Sequence, residues 1–171
     1  MKEKRTDIRT LTLTALMAAL IFVLTRAVQI ATPGKGYIHL GDSGITFTAL
    51  AFGPWVGAVA GGLGTALADL TSGYPTWAPF SLVIHGLQGW TIGTLTRRSH
   101  SLPSLVAATV ASLVIIAGGY FLAGLVLMGM GAALADIVPN LIQALSGAVI
   151  GIPLYFAVLK AYPPLGSRSE G

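Results

Sequence analysis

Five long apolar runs joined by short polar segments leave this chain few folds to adopt; they extend over Ile8–Ala31, Gly44–Leu70, Ala78–Thr96, Ser104–Met128 and Ala132–Leu159. A helix of about 20 apolar residues matches the ~30 Å hydrocarbon core of a bilayer. With 54% hydrophobic residues, only 9% charged residues and a mean hydropathy of +0.78, the chain lies outside the soluble globular range. We therefore expect an all-α integral membrane protein, built as a single membrane domain over residues 1–171. The absence of cysteine excludes disulfides and thiolate metal sites, and no metal or cofactor is expected on this chain. The net charge of +4 does not point to nucleic acid, because the basic residues gather at segment ends without interleaved aromatics. The run after Arg9 has spanning length, so a permanent first helix is expected rather than a cleaved signal.

Charge placement sets the number of crossings. Lys2, Lys4, Arg5 and Arg9 precede the first run, Arg97 and Arg98 follow the third, and Lys160 and Arg168 follow the last; only Arg26 and Lys35 lie elsewhere. The positive-inside rule puts these three clusters on the cytoplasmic side. An even number of crossings must then separate Arg9 from Arg97, which requires the second run to break at Gly53-Pro54, where proline removes a backbone donor. The expected architecture is six helices near 8–31, 43–53, 55–71, 78–96, 104–128 and 132–159, with both termini inside. The second helix covers only about 15 Å. The external loop 32–42 must therefore reach toward the membrane, where it would serve as a lid or pocket wall.

Ionisable groups inside a bilayer are costly and usually face a bundle interior or a cavity. Here they are Arg26, Asp42, Asp69, His85, Gln88, Asp136, Asn140 and Gln143, counting the strongly polar amides with them. His85 and Gln88 are three apart, and Asp136, Asn140 and Gln143 follow i, i+4, i+7, so each set occupies one helical face. Joined by Lys35, Tyr37, His39, Tyr74 and Trp77 at the outer boundary, they describe a pocket for a small polar ring compound. Tyr37 and either Tyr74 or Trp77 would sandwich the ring, with the polar groups choosing among its hydrogen-bonding edges. Arg26 reads better as a residue snorkelling to the interface or pairing with an aspartate. Each polar group also has a purely structural reading: Asp42 and Asp69 as helix-end carboxylates, Tyr74 and Trp77 as interfacial-belt aromatics, and His85, Asn140 and Gln143 as interhelical glue. Ala15 and Ala19 on the first helix, and Gly57, Gly61 and Gly64 on the third, form small-residue faces for close helix approach, within the bundle or toward a partner.

Gly41-Asp42-Ser43-Gly44 also spells the string around a serine-protease nucleophile. An all-β protease barrel is excluded by the apolar pattern. A rhomboid-like intramembrane hydrolase pairing Ser43 with His85 is the alternative to a binding protein, and a scaffold without a ligand is another. Phosphate-loop and zinc-hydrolase motifs do not occur, so uphill transport would draw on an outside energy source.

Taken together, "GYIHLGDSGITFTALAFGPWVGAVAGGLGTALADLTSGYPTWAP" (36–79), "ADIVPNLIQALSGAVIGIPLYFAV" (135–158) and Ala15-x-x-x-Ala19 resemble the substrate-binding S components of energy-coupling factor (ECF) vitamin transporters. The similarity is greatest to the branch of hydroxymethylpyrimidine, pyridoxine and riboflavin carriers. It implies a six-helix subunit of a prokaryotic cell membrane that binds a vitamin or precursor near the outer face under its first loop. It also implies no ATPase of its own: a coupling membrane protein and two ATP-binding cassette subunits would drive uptake, with Ala15 and Ala19 facing the coupling protein. One departure stands at His85, near which relatives often carry a lysine.

Overall fold

The computed structural model describes residues 8–168. Lys2, Lys4 and Arg5 of the first basic cluster lie outside the described residues, as does the side chain of Arg168. Helix α1 (Ile8–Ala27) leads into a small hairpin, β1 (Gln29–Ala31) and β2 (Tyr37–His39); then follow α2 (Gly41–Ser72), α3 (Ala78–Thr96), α4 (Leu102–Met128), α5 (Met130–Ala135) and α6 (Ile137–Ala161). A 3-10 turn over Pro163–Arg168 closes the described chain. Among the described residues, four stretches are long and apolar enough to cross a membrane: α1, α2, α4 and the α5–α6 pair. The chain is a mostly helical protein of membrane-spanning character.

The break expected at Gly53-Pro54 is present. Gly53 adopts φ 83° and ψ −176°, a conformation open to glycine and strained for other residues. The limbs on either side run antiparallel, since a Cβ on Gly57 would lie 2.8 Å from that of Ala49, and one on Gly61 would lie 3.3 Å from Ile45. The first limb, 41–52, is about 18 Å long at the helical rise. It is also the most enclosed stretch, with Asp42, Ile45 and Thr48 fully buried.

Three boundaries differ from those expected. Residues 28–31, expected in the first helix, lie outside it, and Gln29–Ala31 form β1, paired antiparallel with β2 through Ile30 and Ile38. Pro33 forbids continuation of the helix, and the β-branched run pairs more readily across a tight turn. The turn carries Lys35 at φ 62°. The loop 32–42 is thus a structured hairpin arm, with α2 beginning at Gly41. The last run divides at Asp136 into α5 and α6.

Small residues set the helix contacts. A Cβ on Gly89 would overlap the Gly57 carbonyl, and one on Gly93 would lie 2.5 Å from the Pro54 nitrogen, so α2 and α3 touch backbone to backbone. Gly64 meets the Ala18 carbonyl of α1 in the same way. On α1, Met17, Ile21 and Thr25 face inward, while Ala15 and Ala19 are exposed on the outside of the bundle. Gly41-Asp42-Ser43-Gly44 owes its composition to packing: Gly44 abuts Ile21 and Leu24, and α6 approaches Asp42 at Gly147 and Ser43 at Gly151.

The hairpin end gathers the start of α2, its last turn, the start of α3 and the start of α6, as the pairs Tyr37–Asp69 and Thr32–Asp136 require. The opposite end gathers Gly53, the α3–α4 joint and the end of α6, where the ring of His100 stacks on Tyr155 and its Nε2 reaches the Leu50 carbonyl at 3.3 Å. Arg9, Arg97, Arg98 and Lys160 belong to that second end.

Candidate functional site

Beneath the hairpin lies a cavity with about 370 Å³ of non-atom space, counting its open mouth; its lining includes Tyr37, His39, Asp69, Trp77, Asp136 and Asn140. Two aromatic pairs stand around it: Tyr37 with Tyr74, centroids 4.7 Å apart, and Trp77 with Tyr120 at 6.0 Å. Asp136, at the α5–α6 break, holds the hairpin down by accepting from Thr32 Oγ1 at 3.0 Å and from the Gly34 amide at 2.8 Å. A side chain at Gly34 would occupy the position of the carboxylate, its Cβ overlapping Asp136 Oδ2.

Under the cavity runs a buried polar network. Ser81 and Tyr120 share a hydrogen bond of 2.7 Å, Tyr120 meets His85 Nε2 at 3.0 Å, and His85 Nδ1 meets Gln88 Oε1 at 2.9 Å. The Gln88 oxygen can only accept, so Nδ1 carries a proton and a neutral imidazole then accepts from Tyr120 at Nε2. Gln88 Nε2 donates to Asp42 Oδ2 and to Ser112 Oγ, both at 2.8 Å. Gln143 Nε2 donates to Asp42 Oδ1 at 3.2 Å, while its own oxygen accepts from the His39 amide at 3.0 Å. Asp42 is therefore the hub joining α2, α3 and α6, and through Gln143 the base of the hairpin. His39, Asp42 and His85 offer ligand atoms within 4.8 Å of one another, a spacing a cation could use. All three are already committed to this network, His39 Nδ1 by accepting from the Gly41 amide.

Of the residues singled out in the sequence, Tyr37, His39, Asp69, Trp77, Asp136 and Asn140 line the cavity, and Tyr74 backs Tyr37. Asp42, His85, Gln88 and Gln143 form the layer below. Lys35 stands exposed on the hairpin turn, outside the lining. Arg26 is exposed in the last turn of α1 and makes no ion pair among the described residues. Ser43 donates to the Leu40 carbonyl at 2.6 Å, and no histidine is bonded to it among the described residues, so the arrangement a hydrolase needs is not formed. Sequence reasoning missed Thr32, Ser81, Ser112 and Tyr120. Ser81 had a readable signal, since Ser81, His85 and Gln88 follow i, i+4, i+7 on one face of α3.

Burial, and after it the neighbouring His85, holds the His39 imidazole well below its usual value of 6.5. Burial and the Asp69 carboxylate push the Tyr37 phenol far up, so it remains a donor to Asp69. For histidine the sign follows from linkage. An opened hairpin protonates near 6.5 and the seated one does not, so seating is favoured above that pH and weakens as pH falls through it. Hairpin amide exchange, corrected for its intrinsic pH dependence, is expected to be faster at about pH 5.5 than at about 7.5 in the native protein. A His39→Asn variant should lose this difference; its persistence there would assign the effect to another group.

A bundle with apolar outer faces, a buried polar interior and a hairpin latched over a cavity defines a membrane-embedded helical protein with a covered polar cavity at one end. The chain matches the family of ECF-type riboflavin transporter S components over residues 5–161 and belongs to it. It is 37% identical to the thiamine precursor transporter HmpT of Lactococcus lactis subsp. cremoris over 165 residues, 95% of this chain and 90% of that protein. It is 38% identical to an uncharacterized protein of Pyrococcus woesei over 146 residues, 85% of this chain and 98% of that one.

Proposed function

We propose that this chain is the substrate-binding subunit of an ECF-type importer, which captures a water-soluble vitamin or vitamin precursor at the outer membrane face and passes it inward. The observation that carries the reading is the Asp136 latch, which seats the hairpin on a polar cavity walled by aromatic residues. The ligand is read as a compound of the hydroxymethylpyrimidine, pyridoxine or riboflavin class, the first in line with the relative named a thiamine precursor transporter.

In this reading the two limbs of α2 cross separately, giving six crossings, with the basic end of the bundle in the cytoplasm of a prokaryotic cell. Binding would seat the hairpin and exclude water. A coupling membrane protein and two ATPase subunits supply the energy, and their preference for one hairpin state links binding to transport, because only differential affinity shifts a conformational equilibrium. The exposed Ala15 and Ala19 suit close contact with the coupling protein.

Two measurements test this. Native mass spectrometry of the detergent-purified chain against a vitamin panel should show a bound small ring compound that raises thermal stability. The double variant Ala15→Leu, Ala19→Leu should keep that binding within about twofold while ATP-driven uptake falls by about tenfold or more, as expected when bulk separates a small-residue interface. Equal loss of binding and uptake would sink the separation of roles.

A further inference from the structure

Two directions of hydrogen bonding are open to the polar layer under the cavity, and Ser81 chooses between them. Its hydroxyl has one proton and two neighbours that ask for it, the Asp69 carboxylate and Tyr120 at 2.7 Å. When Ser81 donates to Tyr120, the phenol donates to His85 Nε2 and the imidazole proton sits on Nδ1, facing Gln88 Oε1. When it donates to Asp69, a buried carboxylate gains a donor. Tyr120 then donates to Ser81 and accepts from His85 Nε2–H, which leaves a neutral His85 with a bare Nδ1. That lone pair faces two acceptors, Gln88 Oε1 at 2.9 Å and Asp42 Oδ1 at 3.5 Å. From the hairpin, His39 Nδ1 stands 4.0 Å from the same Asp42 oxygen, with its lone pair turned to the Gly41 amide. Ligand atoms of His39, Asp42 and His85 lie within 4.8 Å of one another, and all three residues are buried. Among the described residues, no lysine or arginine lines the cavity above them.

We propose that His39, Asp42, His85 and the side-chain carbonyl of Gln88 form a site for a divalent transition cation of the Zn2+ type. Converging lone pairs around a buried carboxylate repel one another until a cation stands between them. Two imidazoles with oxygen ligands suit such an ion, and a chain without cysteine lacks thiolate ligands but not these. Tetrahedral bonds of about 2.0–2.1 Å set ligands about 3.4 Å apart, so the widest pair closes by at most about 1.4 Å. His39 exchanges its bond from the Gly41 amide for the ion, while Asp42 Oδ2 keeps Gln88 Nε2. Tyr120 holds the His85 ring from behind by accepting from Nε2–H, the outer contact that a metal-bound imidazole needs. His39 is the ligand that the hairpin carries, so the ion ties β2 to α2 and α3 and locks the hairpin shut. The site requires no vitamin and stands or falls apart from the transport reading.

The test titrates Co2+, a visible stand-in for Zn2+, into the purified full chain in a buffer free of chelators. The d–d absorption of a four-coordinate ion is expected, saturating at about one ion per chain and abolished when Zn2+ displaces it. Zn2+ should also slow amide exchange in the hairpin. His39→Ala should weaken binding by more than about a hundredfold, because even outer contacts of a metal ligand are worth about ten- to a hundredfold. Tyr120→Phe keeps the ring and removes only the acceptor of Nε2–H, so it should cost about ten- to a hundredfold. His100→Ala, at the opposite end of the bundle, should leave the spectrum unchanged. Absence of the absorption from the native protein would overturn the site without any variant. Absorption that survives His39→Ala, or that vanishes in His100→Ala, would place the ion elsewhere and overturn it as well.

Discussion

Replacing Asp42 by alanine is expected to lower the melting temperature by about 5–15 °C and to loosen the hairpin, although Asp42 does not line the cavity. The carboxylate accepts from Gln88 at 2.8 Å and from Gln143 at 3.2 Å, all three residues being buried. Its removal orphans two amide donors at about 1–3 kcal/mol each. Relief from burying an acidic group offsets part of this, since its charged neighbours could only be His85 at 3.5 Å and His39 at 4.0 Å. A net loss of about 2–4 kcal/mol corresponds to the temperature shift given, at about 2–4 °C per kcal/mol for a chain of this size. Because Gln143 also accepts from the His39 amide, its release should propagate to the hairpin. Asp42→Asn keeps one acceptor and should lose about half as much. Differential scanning fluorimetry in detergent decides it: an unchanged midpoint in Asp42→Ala would mean that the network does not hold the bundle.

The second large effect is expected at the latch. Gly34→Ala and Asp136→Ala should each weaken ligand binding by about ten- to a hundredfold, because hydrogen bonds to a charged group are worth about 1.5–3 kcal/mol and these seat the hairpin over the cavity. The two variants reach the same outcome from opposite directions. Alanine at Gly34 adds a Cβ that overlaps Asp136 Oδ2, whereas alanine at Asp136 removes the acceptor of both Thr32 and Gly34. Combining them should cost little more than either alone, since each abolishes the same contact. Additive losses measured by titration calorimetry would show that the two residues act separately.

Much of this architecture is legible in the chain. The parity of basic clusters about the apolar runs requires a reversal at Gly53-Pro54, and the limbs there do run antiparallel. The expense of polar groups in lipid singles out Asp69, Asp136 and Asn140 along the sequence, and the cavity gathers them. Residues 28–31 mislead because an apolar, β-branched stretch continues a helical pattern until a partner strand exists, and that partner lies beyond the turn. Tyr120 and Ser112 are hidden within the apolar run of α4, where one hydroxyl carries no periodic signal; their roles arise only from His85 and Gln88 on α3.

Composition, spacing and charge by themselves determined that the chain is a helical membrane protein, where it reverses, and which residues are too polar to face lipid, because those properties follow from local transfer costs along the sequence. Only the tertiary structure decided what each polar residue does. Asp42, Asp69 and Asp136 are the same side chain in similar surroundings, yet one is a hub, one holds Tyr37 of the hairpin and one is a latch. Hydrogen-bond capacity is assigned by neighbours far away in the chain, as in Tyr37 with Asp69 and Gly34 with Asp136, separated by 32 and 102 residues. Such pairings exist only after the helices have packed.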